Sequence, residues 1–110
     1  MKVTTKGHTT TIKDAADDLA VFMAKLNHEL PTFKTQNLII DISHYGNLDK
    51  KSVLLFQPLS KSHKKNKKSF VTVVSETDFN AFPQDFVVVP SVLEAHDIIE
   101  MEEIERDLGF

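Results

Sequence analysis

The stretch NLIIDISHYGNLDKKSVLLF, Asn37 to Phe56, constrains this chain more than any other. An apolar run (Leu38, Ile39, Ile40) ends in Asp41, a polar turn holds Gly46 and Asn47, and an apolar segment restarts after Asp49. An apolar run of strand length without alternation reads as a strand covered on both faces, the pattern of a parallel sheet. Asp49 suits an N-cap, so strand, loop and helix start are predicted in succession. That succession calls for a layered α/β architecture, in which ligands and partners meet the loops at the carboxyl ends of the strands. Function is therefore expected at the loop 43–53.

The flanking segments agree with this frame. Met1 to Ile12 is threonine-rich with a Lys6-Gly7-His8 turn and reads as an N-terminal hairpin. Asp14 reads as the cap of a first helix with the apolar stripe Ala15, Leu19, Phe22 and Leu26, Met23 beside it, and Asp17 and Asp18 in the first turn. Pro31 stops that helix. The second helix carries Val53, Leu54, Leu55, Phe56 and Leu59; Pro58 is expected to kink or end it, and its last turn to dissolve into the lysine run Lys61 to Lys68. Ser69 to Ser75 reads as a buried strand, Asp78 to Phe82 as one helical turn, and Phe86 to Val89 as a short strand closed by Pro90. Ser91-Val92-Leu93-Glu94 matches a capping box, opening a helix that continues to Leu108 with Gly109 as its C′ residue. The predicted order is ββαβαβ(α)βα, and strands separated by helices pair in parallel through right-handed crossovers.

With 110 residues, the chain is expected to form one domain over its whole length. The absence of cysteine excludes disulfides, thiolate catalysis and cysteine metal sites. MKVTTKGHTTT holds no apolar run of signal-peptide length, and no membrane-spanning run follows, so a soluble cytoplasmic protein is expected.

The element order and the central stretch resemble the STAS domain family, the small α/β module of anti-sigma-factor antagonists that also occurs in sulfate-transporter tails and stressosome proteins. In that family a strand ending in an Asp-hydrophobic-Ser type sequence leads, through a short loop, to an Asp-Ser-Ser-Gly-like helix start. LIIDIS (Leu38 to Ser43) matches the strand, Leu48 to Val53 occupies the helix start, and PSVLEAHDII (Pro90 to Ile99) looks like the family's final strand-to-helix segment. The resemblance covers nearly the whole chain. It implies an α/β, single-domain STAS-like mixed sheet of four or five strands with helices mainly on one face. The parallel core would come from Leu38–Ile42, Ser69–Val74 and Phe86–Val89.

It also implies a non-catalytic regulatory module that docks a protein partner, such as an anti-sigma-like regulator. Ser43, His44, Tyr45, Asp49, Lys50, Lys51 and Ser52 are the partner-binding residues this suggests. By register, the phosphoacceptor serine of the family is Lys51 here, and the glycine after it is Ser52. Lysine cannot accept that phosphate, so the switch is absent or moved, with Ser52 or Ser43 as displaced phosphosites. Lys50 and Lys51 place fixed positive charge at a helix N-terminus, at a cost of roughly 0.3–1 kcal/mol each if close and unscreened. Either both turn into solvent, or they meet an acidic partner surface.

The ending is also similar to short bacterial proteins that carry a ribonuclease Z label. Such a nuclease needs clustered His and Asp to hold two metals and activate water. His8, His28, His44, His63 and His96 are scattered, with no HxHxDH run and no HExxH. No metal or other cofactor is expected, and no enzymatic activity.

Four further constellations carry alternatives. His96 and Glu100, at i and i+4, are either a solvated pair or two ligands of a divalent ion. Asp41 is a general base, a Mg²⁺ ligand or, as preferred here, an acceptor for amides of the following turn. Tyr45 beside His44 is an exposed contact aromatic or is tucked under the loop. The run SKSHKKNKK, Ser60 to Lys68, is a solvated loop, a contact for a membrane surface, or a contact for nucleic-acid phosphates in an RNA-processing accessory protein. Because Glu94 to Asp107 is strongly acidic, the basic run and this helix together would also permit weak head-to-tail self-association.

Overall fold

A computed structural model describes residues 1–14 and 18–109. The hairpin forms first: β1 (Lys2–Lys6) pairs antiparallel with β2 (Thr9–Lys13), from Lys2 opposite Lys13 to Lys6 opposite Thr9. Gly7 opens the two-residue loop with φ +60°, the conformation that glycine supplies in hairpin turns. Next come α1 (Leu19–Glu29), β3 (Asn37–Asp41), α2 (Lys50–Leu54), α3 (Gln57–Lys64), β4 (Phe70–Val73), β5 (Val87–Val89) and α4 (Val92–Asp107). The sheet is five-stranded and mixed in the order β1-β2-β3-β4-β5, with β2 to β5 all parallel.

The pleat divides this sheet into two packed faces. The row Ile12, Ile40, Thr72 and Val88 points one way, and Ile39, Val71 and Val87 point the other. Phe22 and Leu26 of α1, Val53 of α2, Phe56, and Leu59 of α3 close over the first face. Ala95 and Ile99 of α4 cover the second. A sheet whose strands follow chain order, joined by crossovers of one hand, holds the connecting helices on one side. The last helix crosses to no further strand and is free to cover the other side. All five residues of β3 are buried, as the unbroken apolar run requires. No helix among the described residues is long and apolar enough to cross a membrane.

Several boundaries depart from the sequence expectations, each for a local reason. The N-cap of the first helix is Asp18, whose Oδ1 accepts from Ala20 N at 3.0 Å and Val21 N at 3.2 Å. Asp14 instead directly follows β2, where its N–H continues the ladder to the Asp41 carbonyl at 3.4 Å. Ala15 and Asp17, placed in the first turn by their spacing, lie outside the described residues. The first helix does stop at Pro31, as expected: α1 ends at Glu29, and the proline sits in a separate 3₁₀ turn, Leu30–Phe33, that follows it. Pro58 breaks the second helix as expected: a proline is tolerated only in a first turn, so it begins α3 rather than continuing α2. α3 then runs to Lys64, so the lysine segment is half helical rather than a dissolved end. Asp78 to Phe82 forms no helical turn; an Asx turn, with Asn80 N on Asp78 Oδ1 at 3.1 Å, leads an irregular crossover to β5. The capping box is half made. Ser91 Oγ accepts from Glu94 N at 3.2 Å, but it also donates to Glu94 Oε2 at 3.0 Å, so the carboxylate does not reach back to the Ser91 amide.

Candidate functional site

The carboxyl ends of β2, β3 and β4 converge on the loop that follows β3. Asp41 Oδ1 accepts from Ser43 N at 3.0 Å and from Ser43 Oγ at 2.6 Å, so the aspartate holds the turn by its amide and hydroxyl. This is the structural role preferred from sequence. Residues Ser43–Tyr45 make a 3₁₀ turn, and Gly46, at φ 76° and ψ −130°, reverses the backbone where a Cβ would be strained. From the neighbouring strand end, Ser75 Oγ lies 3.0 Å from the Ser43 carbonyl and 3.1 Å from that of Gly46, and donates to them. Leu48 N bonds the Glu76 carbonyl at 3.1 Å, beside a short parallel bridge between Asn47 and Glu76.

From the other side comes Asp14, buried at the end of β2. Its carboxylate accepts the Tyr45 hydroxyl and lies 3.9 Å from His44 Nε2. The His44 and Tyr45 rings lie 4.3 Å apart at 38°. Tyr45 is therefore not an exposed contact aromatic: its ring packs on the main core and its hydroxyl ties the loop to β2. The tucked alternative is the one realised.

The helix start is as the sequence suggested. Asp49 caps α2, its Oδ1 accepting Ser52 N at 2.9 Å. Hydrogen bonds from the Ser52 hydroxyl and then the Ser52 amide hold the Asp49 carboxyl below its usual value, with the Lys51 charge adding to the effect. Lys50 and Lys51 are both exposed. Asn47, Leu48, Asp49 and Lys50 form one wall of an open cleft of about 470 Å³, whose other wall is Glu76, Thr77 and Asp78. Of the seven residues singled out, His44, Asp49, Lys50 and Lys51 are at the surface; Ser43, Tyr45 and Ser52 are half-buried.

The basic run is less free than its composition suggests. His63 is buried with its Nε2–H on the Gln36 carbonyl at 2.7 Å, and burial holds its pKa below the ordinary 6.5. Lys64 donates to the Asp85 carbonyl. Lys64, Lys67 and Lys68 line an open cleft of about 520 Å³ with Glu102, Glu105 and Arg106 of α4, so basic run and acidic helix already meet within one molecule. At the floor of this end, Arg106 donates to Ser69 Oγ at 3.1 Å and to Asn37 Oδ1 at 3.3 Å, while Asn37 Oδ1 also accepts Ser69 N at 2.9 Å.

His96 and Glu100 gain no third metal-binding side chain, and among the described residues no group of three or more His, Cys, Asp or Glu converges. The bracing by Asp14 and Ser75 and the Asn37–Ser69–Arg106 cluster escaped the sequence reading. Only Asn37 left a trace, as a polar residue opening an apolar strand; the others are partners that local spacing does not pair. Compared with protein-family models and with curated proteins, the chain matches none.

Proposed function

We propose that the protein is a non-catalytic regulatory module of STAS type that docks a protein partner through the Ser43–Val53 loop and helix start, in the manner of an anti-sigma-factor antagonist. One observation carries this reading. A loop held from three strand ends, by Asp14, Asp41 and Ser75, delivers two exposed lysines at the capped start of α2. A surface ordered before binding loses little entropy on docking, which favours recognition by fixed geometry. Lys50 and Lys51 then select an acidic surface on the partner, with His44 and Asp49 at the same rim.

The module works without a serine switch. The Ser43 hydroxyl already engages Asp41, and the Asp49 carboxylate already takes the Ser52 amide. A phosphate dianion on Ser43 would lose that bond and face the carboxylate, and one on Ser52 would be set beside the Asp49 carboxylate, both unfavourable. The nucleic-acid reading of Lys61 to Lys68 gains no support, since Lys64, Lys67 and Lys68 share their cleft with Glu102 and Glu105.

The test is affinity capture from native lysate with the wild-type chain and a Lys50→Glu/Lys51→Glu variant matched for folding by circular dichroism. A protein retained by the wild type and lost with the variant is the expected result. Equal retention of every captured protein by both sinks the proposal.

A further inference from the structure

Helix α4 is apolar on two opposite faces. Ala95 and Ile99 are buried against the sheet. On the solvent side, Leu93 is 73 % exposed, Met101 58 %, Ile104 54 % and Leu108 65 %. At about 100° per residue these four fall within an arc of roughly 80°, diametrically opposite Ala95 and Ile99. A helix with one apolar face on its own core and a second facing water is a surface awaiting a partner, since isolated exposed residues are ordinary but an aligned stripe is not.

Charge decides what partner. Asp97 and Glu100 lie within and beside the stripe, Glu94 and Glu105 border its other side, and all four are exposed. Two α4 helices packed on each other would set these carboxylates against one another, which disfavours a second copy through this face. An anionic lipid surface is repelled for the same reason. We infer that the outer face of α4 docks a basic amphipathic helix, whose apolar residues cover Met101, Ile104 and Leu108 while its lysines or arginines pair with Asp97, Glu100 and Glu105. The mode is an amphipathic helix against an apolar stripe with complementary rims. This surface lies across the sheet from α2 and does not depend on the loop 43–53.

The probe is a synthetic amphipathic peptide of leucine and lysine, about 18 residues long to match α4, with a leucine–glutamate peptide of the same pattern as control. Titration into the ¹⁵N-labelled chain is expected to shift amide resonances of Leu93 to Leu108 saturably, with no such shifts from the control. Met101→Ser/Ile104→Ser should weaken binding by roughly tenfold or more; both positions are exposed, so the fold is retained. Lys50→Glu/Lys51→Glu should leave it unchanged, which separates this surface from the loop. Shifts that map elsewhere, no saturation, equal binding of the control, or an affinity insensitive to the serine variant would overturn the inference. So would concentration-dependent dimerisation in sedimentation that the same variant abolishes, because the occupant would then be a second copy.

Discussion

His63 shows how far a residue's chemistry depends on its surroundings. In sequence it is one member of a lysine-rich run, Ser60 to Lys68. In the fold it is 1 % exposed, its Nε2–H is spent on the Gln36 carbonyl, its ring packs 6.1 Å from that of Phe70, and its Nδ1 is buried without a hydrogen-bond partner. Protonation would put a second N–H where nothing accepts it, and the Lys68 charge opposes it too. The folded state therefore resists a proton that the unfolded state takes up near pH 6.5. Stability is fully present above that pH and is lost as pH falls from 6.5 towards the lowered folded value, by at most about 1.4 kcal/mol per pH unit. Urea unfolding between pH 7.5 and 5 measures it. The stability gap between wild type and His63→Gln should narrow as pH falls; parallel profiles would show that another group controls the slope.

Among the elements, the helix ends hold most of the departures from expectation. A cap is a geometric role, and neighbouring aspartates near one helix start compete for it. Asp14 and Asp18 both have the required side chain, yet only Asp18 lies outside the reach of the sheet ladder; Asp14 is drawn into it by the Asp41 carbonyl. The end of α3 shows the opposite case, a role filled by an unsuited residue. Lys67 has φ 60°, the only non-glycine residue at positive φ among those described, just after the turn in which Asn66 N and Lys67 N bond back to His63 and Lys64. Left-handed backbone costs a Cβ-bearing residue about 1–2 kcal/mol, part of which glycine returns through its greater freedom when unfolded. Lys67→Gly is expected to stabilise the protein by about 0.5–1 kcal/mol, read as a higher urea midpoint at unchanged slope. A lower midpoint would mean that the Lys67 side chain contributes more in its cleft than its backbone costs.

At the scale of the molecule, two apolar clusters share one sheet. Strands β3 and β4 alternate residues into both, so neither face can open without disturbing the other. Phe56 sits at the break between α2 and α3, fully buried and 6.1 Å from the Phe22 ring, where it joins three helices to the sheet. Phe56→Ala should cost about 3–5 kcal/mol, a large share of the 5–15 kcal/mol typical of a domain. The loss should appear as an earlier, still single transition followed by both helicity and tyrosine fluorescence. Two separated transitions would mean that the α4 layer unfolds on its own.

Local pattern was enough to determine the hairpin, the buried strands, the caps at Asp49 and Ser91, the turn-holding role of Asp41 and the mixed α/β class. Each depends on residues a few positions apart, whose spacing sets side-chain direction and whose caps act within one turn. Tertiary structure alone decided that Asp14 braces Tyr45, that Ser75 ties the loop from the next strand, that Arg106 reaches Asn37 and Ser69, and that α4 bears a second apolar face. Those pairs lie far apart in the chain and meet only because parallel pairing gathers the carboxyl ends of three strands on one rim and the amino ends of β3 and β4, beside α4, on the other, a register that hydrogen bonding across the whole sheet selects.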